Sequence, residues 1–257
     1  MLKVAVLGAG RMGQAMVAAI GASPDTELSG LWVRAGRPAG PLPEGVIASS
    51  NLGAVLSGAE VAVDFSLPAA TPDVLEAVTQ ARVPLVSGVT GLGEDEMRRL
   101  EVAARSIPLL HDSNMSIGIA LLKDLVARAA PRLPQFGAEI HETHHVHKKD
   151  APSGTAIALG KALAQSVGRN FSEVYRYEPG GPAERRTPED ILFRVTRRGE
   201  VAGEHTVTFR SDAEILELTH KVSDRRVFAY GALRAARWLV TQPAGFYRMS
   251  DLVAAMS

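Results

Sequence analysis

The sequence feature that most constrains the fold is a set of three glycines directly after the first apolar run. Residues 8–13 read Gly-Ala-Gly-Arg-Met-Gly, the spacing G-x-G-x-x-G, between a predicted strand and a helical pattern. The first glycine permits a tight turn, the second lets a pyrophosphate approach the backbone, and the third lets helix and strand pack closely. Because N–H groups at a helix N-terminus attract anions, the motif predicts a dinucleotide site rather than a plain Gly/Ala-rich turn. The residues expected to contact the cofactor are Gly8, Ala9, Gly10, Arg11, Met12 and Gly13.

The first 116 residues alternate short, β-rich apolar runs with helical patterns, as in βαβ units on a parallel sheet. The predicted strands are Lys3–Leu7, Leu28–Val33, Val61–Phe65, Pro84–Ser87 and Ile107–His111. The predicted helices between them include Met12–Ile20 and Asp95–Ser106, and the Gly/Pro-rich stretch 34–45 is predicted to be a loop. The fold class indicated is α/β, with a Rossmann-like, doubly wound parallel sheet.

After residue 116 the pattern changes to that of a second, α+β domain with a mixed or antiparallel sheet. The helices predicted there are Ile117–Ala130 and Thr155–Val167, and the strands with period-two alternation are Ile191–Arg197, His205–Arg210 and Ile215–Val222. A helical pattern returns after Arg225, and we expect it to pack back on the first domain. The expected organisation is therefore a dinucleotide-binding domain over 1–116 and 226–257, with a second domain over 117–225.

Charge and cysteine content exclude several classes of function. The 257 residues carry 28 basic and 28 acidic side chains, so no broad positive field is available for nucleic acid or a membrane surface. The chain has no cysteine, which excludes disulfides, thiolate catalysis and cysteine-based metal sites. The short apolar start has no cleavage region of a signal peptide, and no apolar stretch has the roughly 18 residues of a membrane span. We therefore expect a cytoplasmic protein.

The end of the second predicted strand bears on the choice of cofactor. The dinucleotide motif expects an acidic residue there, about 20 positions after the glycines, to hold the adenosine ribose. This chain has Val33 instead, followed by Arg34 and Arg37. An arginine at this place can bind a 2′-phosphate through charge-assisted hydrogen bonds, although two solvated surface arginines are the plain alternative. We expect NADPH to be used at least as well as NADH.

Four of the seven histidines lie within seven consecutive residues, at His141, His144, His145 and His147. If a strand continues through this cluster, alternation puts His144 and Lys148 on one face and the other three histidines on the opposite face. Three histidines on one face could bind a metal ion, but the adjacent lysines disfavour a dication. The other alternative is a solvated, polar strand end.

The residues that follow the cluster favour a catalytic interpretation. Ser153, Gly154 and Thr155 open a predicted helix, so their backbone N–H groups form an anion site. Such a site and a lysine would hold a small carboxylate substrate while histidine or lysine delivers a proton as a hydride arrives. The residues alone predict a nicotinamide-dependent enzyme that acts on a small anion and needs no metal ion.

The stretch Glu142–Thr155 carries a family resemblance. It reads ETHHVHKKDAPSGT and is similar to the signature E-x-H-H-x-x-K-x-D-x-P-S-G-T of 4-hydroxy-tetrahydrodipicolinate reductase, also called dihydrodipicolinate reductase. The resemblance spans nearly the whole chain. The supporting stretches are Gly8–Gly13, Asp64–Ser66, Gly88–Gly91, Asn114–Ser116 and Gly203–Thr206.

The resemblance implies reduction of 4-hydroxy-tetrahydrodipicolinate with NADPH or NADH, a step of lysine and diaminopimelate biosynthesis. It implies that His144 is a proton donor or acceptor and Lys148 a proton donor, and it leaves open which of them delivers the proton. The implied substrate contacts are His145, Ser153, Gly154 and Thr155. The implied contacts to the nicotinamide half of the cofactor are Gly88, Val89, Thr90, Asp112, Ser113, Asn114 and Met115. It further implies a homotetramer built through the sheet of the second domain, which would then serve both substrate binding and oligomerisation.

Two positions depart from the family pattern. The family often has an acidic residue where Val33 stands, so the cofactor preference is not inherited. Its nicotinamide-side loop commonly reads G-T-T-G, whereas this chain has Val89 as the second residue, which permits a backbone contact but no hydroxyl contact. Two other functions remain as alternatives to this reductase: an amino-acid dehydrogenase of the aspartate or diaminopimelate type, and a nucleotide-sensing protein without activity.

Overall fold

The computed structural model describes residues 1–36, 40, 42–43, 46–180 and 184–256. These residues form two compact units. The first unit comprises Met1–Ser116 and Arg226–Ser257, and the second comprises Ile117–Arg225. Each unit has its own sheet and its own apolar core.

The elements are numbered along the chain. The strands are β1 (Leu2–Leu7), β2 (Thr26–Trp32), β3 (Ile47–Ser49), β4 (Val61–Asp64), β5 (Leu85–Ser87), β6 (Pro108–His111), β7 (Gly137–His144), β8 (Tyr175–Arg176), β9 (Ile191–Arg197), β10 (Gly203–Arg210), β11 (Ile215–Val222) and β12 (Gly245–Tyr247). The α-helices are α1 (Arg11–Gly21), α2 (Leu52–Leu56), α3 (Thr71–Ala81), α4 (Glu94–Ala103), α5 (Ile117–Ala129), α6 (Gly154–Ser166), α7 (Phe171–Val174), α8 (Arg226–Leu239) and α9 (Met249–Ala254). Short 3-10 turns cover Pro68–Ala70 and Ala130–Arg132.

The first unit contains a parallel sheet in the order β12-β6-β5-β4-β1-β2-β3. Its central strands are apolar on both faces, as in β4, where Val61, Ala62 and Val63 are fully buried. This composition is typical of a parallel sheet that helices cover on both sides. The predicted Rossmann-like class is confirmed, and the five predicted strands correspond to β1, β2, β4, β5 and β6.

The second unit contains a mixed sheet in the order β11-β10-β7-β9-β8, which confirms the predicted second α+β fold. Strand β10 is antiparallel to β7 and to β11, whereas β9 is parallel to β7 and β8. Helices α5 and α6 contribute Ile119, Leu122, Leu159 and Leu163 to the apolar core beside this sheet. Strand β7 is central, and it carries the first part of the histidine cluster.

The strand that enters the histidine cluster does not continue through it, so the condition for two alternating faces is not met. Strand β7 ends at His144, and the chain then turns, with the Lys148 N–H donating to the His145 carbonyl oxygen at 3.2 Å. The side-chain alternation of a strand therefore stops at His144. Lys148 lies on a loop, and its position relative to His144 is set by that loop rather than by a strand face.

Candidate active site

The glycine motif forms a tight turn between β1 and α1, as its spacing predicts. Gly8 has φ +101°, a conformation that favours glycine. A Cβ atom on Gly13 would lie 1.8 Å from the Gly8 carbonyl oxygen, so only glycine allows α1 to start this close to the turn. A Cβ atom on Gly10, by contrast, would meet no atom within 4 Å, which leaves open space for a ligand at the N-terminus of α1.

A cavity of about 720 Å³ opens beside this turn. Its lining residues come from the ends of β1, β2 and β4 and from the start of α3, and they are Gly8, Ala9, Gly10, Trp32, Arg34, Phe65, Ser66, Leu67, Ala69, Ala70 and Asp73. The cavity has the size and the lining expected of a nucleotide site. Arg34 is part of its wall, whereas Arg37 lies outside the described residues.

The loops after β5 and β6 lie at the same sheet edge as the glycine turn, because these strands are parallel to β1 and β4. The Gly88 N–H donates to Asp64 O at 2.9 Å, and a Cβ atom on Gly88 would lie 2.3 Å from the Phe65 ring. Val89 and Met115 are each 2% exposed, so their side chains belong to the core. The structure thus brings the predicted cofactor-contact residues of the first unit to one edge.

The loop after β6 also holds itself in shape. The Asp112 side chain accepts a hydrogen bond from the Asn114 N–H at 3.3 Å, and the Asn114 side chain accepts one from the Ser116 N–H at 2.9 Å. His111, at the end of β6, is buried with Nδ1 3.1 Å from the Ser87 carbonyl oxygen. Burial, and then the charge of Arg248, lower the pKa of His111 below its usual value, so the ring is neutral at pH 7.

In the second unit, a buried carboxylate lies at the centre of the candidate catalytic residues. Glu142 is 1% exposed and accepts two hydrogen bonds of 3.1 Å from the Ser153 N–H, one at each oxygen. The Arg197 guanidinium donates to Glu142 Oε1 at 3.1 Å. The other oxygen, Oε2, lies 3.6 Å from His144 Nδ1 and 3.7 Å from His205 Nε2.

Lys148 lies on the loop that follows β7. Its Nζ atom is paired with Asp150 Oδ1 at 2.8 Å, and its side chain is 23% exposed. The Arg197 side chain crosses from β9 and donates to the carbonyl oxygens of Lys148, at 3.3 Å, and Asp150, at 2.6 Å. The loop is therefore fixed to the sheet by the same arginine that pairs with Glu142.

Helix α6 begins at the predicted anion site. Ser153 is its N-cap, with the hydroxyl oxygen accepting from the Ala156 N–H at 3.2 Å. The hydroxyl also lies 3.3 Å from His205 Nε2, so the Ser153 side chain is already engaged within the protein. Gly154, which is exposed, and Thr155, which is half-buried, start the helix and present the first N–H groups of the turn.

Electrostatics keep the two buried histidines neutral at pH 7. Burial lowers the pKa of His144; Glu142 and Asp150 oppose this effect, while Lys148 and Arg197 add to it. Burial, with the charges of His144, His220 and Lys148, lowers the pKa of His205 to about 3. A neutral imidazole can accept a proton, so His144 and Lys148 together provide an acceptor and a donor in one site.

The structure rearranges the candidate metal ligands. The predicted face of His141, His145 and His147 does not form, since His141 pairs with Thr196 Oγ1 at 2.9 Å and His147 with Glu200 at 3.6 Å. Glu142, His144 and His205 instead place one ligand atom each within 4.8 Å of one another. Because Arg197 and the Ser153 N–H already occupy the carboxylate, this set of groups does not favour a dication.

Sequence reasoning assigned no role to Glu142, Arg197 or His205. Glu142 and His205 stand within the stretches that carry the family resemblance, but those stretches did not indicate that the two side chains meet. Arg197 lies 55 residues from Glu142, so the contact depends on the pairing of β7 with β9.

No helix among the described residues is long and apolar enough to cross a membrane.

A glycine turn on a parallel sheet and a buried histidine with a lysine beside a helix N-terminus define a nicotinamide-dependent oxidoreductase. Two family models match the chain: "Dihydrodipicolinate reductase, N-terminus" over residues 2–115 and "Dihydrodipicolinate reductase, C-terminus" over residues 118–253. The chain therefore belongs to the dihydrodipicolinate reductase family.

Curated relatives agree with this family, and solved structures share its fold. The chain is 40% identical to 4-hydroxy-tetrahydrodipicolinate reductase of Halorhodospira halophila and 39% identical to that of Sulfurimonas denitrificans. Each match covers 98% of this chain and 98% of the relative. A dipicolinate-bound dihydrodipicolinate reductase from Paenisporosarcina sp. TG-14 is similar in fold, with a TM-score of 0.81, 21% identity, and coverage of 96% of this chain and 97% of that one. Amine dehydrogenase from Mycobacterium smegmatis shares the fold more distantly, with a TM-score of 0.63, 13% identity, and coverage of 97% and 95%.

Proposed function

We propose that the protein reduces 4-hydroxy-tetrahydrodipicolinate to tetrahydrodipicolinate with NADPH or NADH, in lysine and diaminopimelate biosynthesis. The observation that carries this proposal is membership of the reductase family over both halves of the chain. Curated relatives at about 40% identity over 98% of the chain bear the name of this activity. The enzyme is an oxidoreductase, and the amine dehydrogenase fold is too distant to suggest another substrate.

The residues of the first unit fit a dinucleotide. The open space at Gly10 and the cavity of about 720 Å³ next to it can take a pyrophosphate and a nucleoside. When bound, the nicotinamide cofactor supplies a hydride. Residues 8–13, Arg34 and the backbone of residues 88–90 and 112–115 would hold it, with Arg34 directed to the adenosine end. The arginine favours the 2′-phosphate of NADPH.

The residues of the second unit supply the groups that the substrate requires. The substrate is a cyclic dicarboxylate that loses its hydroxyl group as water, so the reaction takes up a proton. Lys148, paired with Asp150, is a proton donor, and His144, kept neutral by burial, is a proton acceptor. The first N–H groups of α6, at Gly154 and Thr155, bind a carboxylate, and His145 lies one residue after His144 to contact the ring.

Ser153 contributes to substrate binding through the helix that it starts. Its N–H donates to Glu142 and its hydroxyl caps α6, so its role is to hold the helix end that binds the carboxylate.

The location we propose is the cytoplasm, because the pathway is biosynthetic. The assembly we propose is a homotetramer through the sheet of the second unit. Its edge strand β11 supports this, with Ile215 50% and Leu216 40% exposed.

One assay tests the function directly. Purified protein should oxidise NADPH only when pyruvate and aspartate semialdehyde have first been condensed to the substrate. Omission of either precursor, or of the condensing enzyme, should abolish the signal. If the protein is inactive with this substrate but reduces an oxidised nicotinamide cofactor in the presence of an amino acid, it is an amino-acid dehydrogenase and the proposal is wrong.

A further inference from the structure

The buried carboxylate of Glu142 contacts His144, the start of α6 and Arg197. It lies on β7 two residues before His144, accepts both hydrogen bonds from the Ser153 N–H at the start of α6, and pairs with Arg197. Arg197 in turn holds the backbone of the loop that carries Lys148. A single carboxylate thus connects the histidine, the lysine loop and the carboxylate-binding helix end.

We propose that Glu142 is a positioning residue that orients His144 and, through Arg197, the Lys148 loop for proton transfer. This inference rests on the proposed function, which makes His144 and Lys148 the proton-transfer groups. Glu142 itself is only 1% exposed, and its carboxylate is already paired with the Ser153 N–H and Arg197. Its effect is therefore exerted through the groups that it holds.

The geometry around His144 supports an electrostatic part of this role. His144 Nδ1 has no hydrogen-bond partner among the described residues, and Glu142 Oε2 lies 3.6 Å from it. When His144 takes up a proton, Nδ1–H and the carboxylate attract each other, and the contact can shorten to a charge-assisted hydrogen bond. The other charged groups that face His144 are Lys148, Asp150 and Arg197.

His205 completes the surroundings of His144 from β10. Its ring packs edge-on against the His144 ring, with centroids 5.1 Å apart, and its Nε2 atom lies between Ser153 Oγ and Glu142 Oε2. Of the two carboxylates that raise the pKa of His144, Glu142 has a larger effect than Asp150. Loss of the Glu142 charge would leave Asp150 alone to favour protonation of His144 against the cations Lys148 and Arg197.

The test compares Glu142→Gln with Glu139→Gln in the full chain. Glu139 lies on the same strand and pairs with Arg194 of β9 at 2.9 Å, so it offers the same cross-strand chemistry away from His144. We expect Glu142→Gln to lower kcat about 10- to 100-fold, as slight misplacement of reacting groups does, with an unchanged Kd for NADPH. Glu139→Gln should keep the wild-type kcat. A kcat of Glu142→Gln within twofold of wild type would overturn the proposal.

A second readout separates positioning from a merely structural role. The titration midpoint of His144, followed by NMR of the imidazole Cε1–H and assigned by its loss in His144→Gln, should move to lower pH in Glu142→Gln. It should not move in Glu139→Gln. An unmoved midpoint would mean that Glu142 acts only on stability. This readout needs no substrate, so it tests Glu142 even if the proposed activity is absent.

Removal of one partner from a buried pair can prevent folding, so a double variant is included. Glu142→Gln/Arg197→Gln removes both charges together. If it folds and shows the same loss of kcat, the proposal stands; if it recovers wild-type kcat, the single variant failed only because Arg197 was left unpaired. If neither variant folds, Glu142 is a structural residue and the proposal is wrong.

Discussion

The backbone of Gly13 passes so close to Gly8 that a methyl group on residue 13 would lie 1.8 Å from the Gly8 carbonyl oxygen. At this distance the Gly8 backbone would have to move, and that movement would open the turn between β1 and α1. Gly10 lies in the same motif but in open space, where a methyl group on residue 10 would meet no atom within 4 Å. Two glycines of one motif therefore have different tasks, one in packing and one in ligand approach.

Alanine substitutions should separate these tasks. Gly13→Ala should lower the midpoint of thermal unfolding and abolish NADPH binding, because α1 cannot pack on β1. Gly10→Ala should keep the wild-type midpoint but weaken NADPH binding, because its methyl group fills the space for the pyrophosphate. Thermal unfolding and fluorescence titration with NADPH measure both effects. As a control, Gly21→Ala at the end of α1 should change neither binding nor fold. Equal effects of Gly10→Ala and Gly13→Ala on stability would contradict this division.

Arg34 should determine the preference between the two cofactors. It lines the nucleotide cavity, where its guanidinium can pair with a 2′-phosphate, a group that NADH lacks. Arg34→Ala should lower kcat/KM for NADPH about tenfold or more and leave kcat/KM for NADH nearly unchanged. Arg105→Ala, at an exposed position outside the lining of this cavity, is the matched control. An unaltered ratio of the two kcat/KM values in Arg34→Ala would remove Arg34 from cofactor selection.

Lys148 and Lys149 are adjacent but differ in their surroundings. Lys148 is partly buried and paired with Asp150, whereas Lys149 is exposed. Lys148→Ala should lower kcat by about 10² or more, the usual effect of losing a proton donor, while Lys149→Ala should keep wild-type kcat. Steady-state kinetics with the condensed substrate measure both. If Lys148→Ala raises KM alone, the side chain binds a carboxylate and does not donate the proton.

The strands that were predicted are those with a distinct sequence pattern. β4 and β5 are short apolar runs next to polar or glycine residues, so the apolar run alone indicated a buried strand. β3 was missed because Ile47–Ser49 is largely exposed at one sheet edge after a Gly/Pro-rich stretch, and β12 because it is a half-buried strand at the other edge.

The candidate site was predicted only where its residues are neighbours in sequence. The stretch 142–155 indicated His144, Lys148 and the start of α6, but the strand alternation failed beyond His144 because the loop begins there. The contacts of Glu142 with Arg197 and His205 join strands β7, β9 and β10, which are adjacent in the sheet and distant in the chain. Pairing across a sheet is set by the whole fold, so the pattern of one segment could not indicate it.

Asp64 at the end of β4 should make the stability of the protein depend on pH. It is 2% exposed, and burial raises its pKa from 3.8 to about 6, with the Ser66 hydrogen bonds opposing this effect. The folded state therefore holds a proton that the unfolded state releases near pH 4. The stabilising effect of this proton is complete below pH 3.8 and is lost as pH rises through about 6. The full loss amounts to about 3 kcal/mol by pH 7.

Asp64→Asn keeps an oxygen that can accept the Ser66 N–H, which Asp64 Oδ1 accepts at 2.8 Å, but it carries no charge at any pH. Relative to wild type, its free energy of unfolding should therefore increase by about 2.5 kcal/mol between pH 4 and pH 7.5. Urea unfolding across this range measures the difference. Asp150→Asn gives the opposite sign: partial burial raises the pKa of Asp150, but the hydrogen bond and charge of Lys148 lower it overall, so its charged form stabilises the fold. A difference between Asp64→Asn and wild type that does not change with pH would show that Asp64 is not held protonated in the folded state.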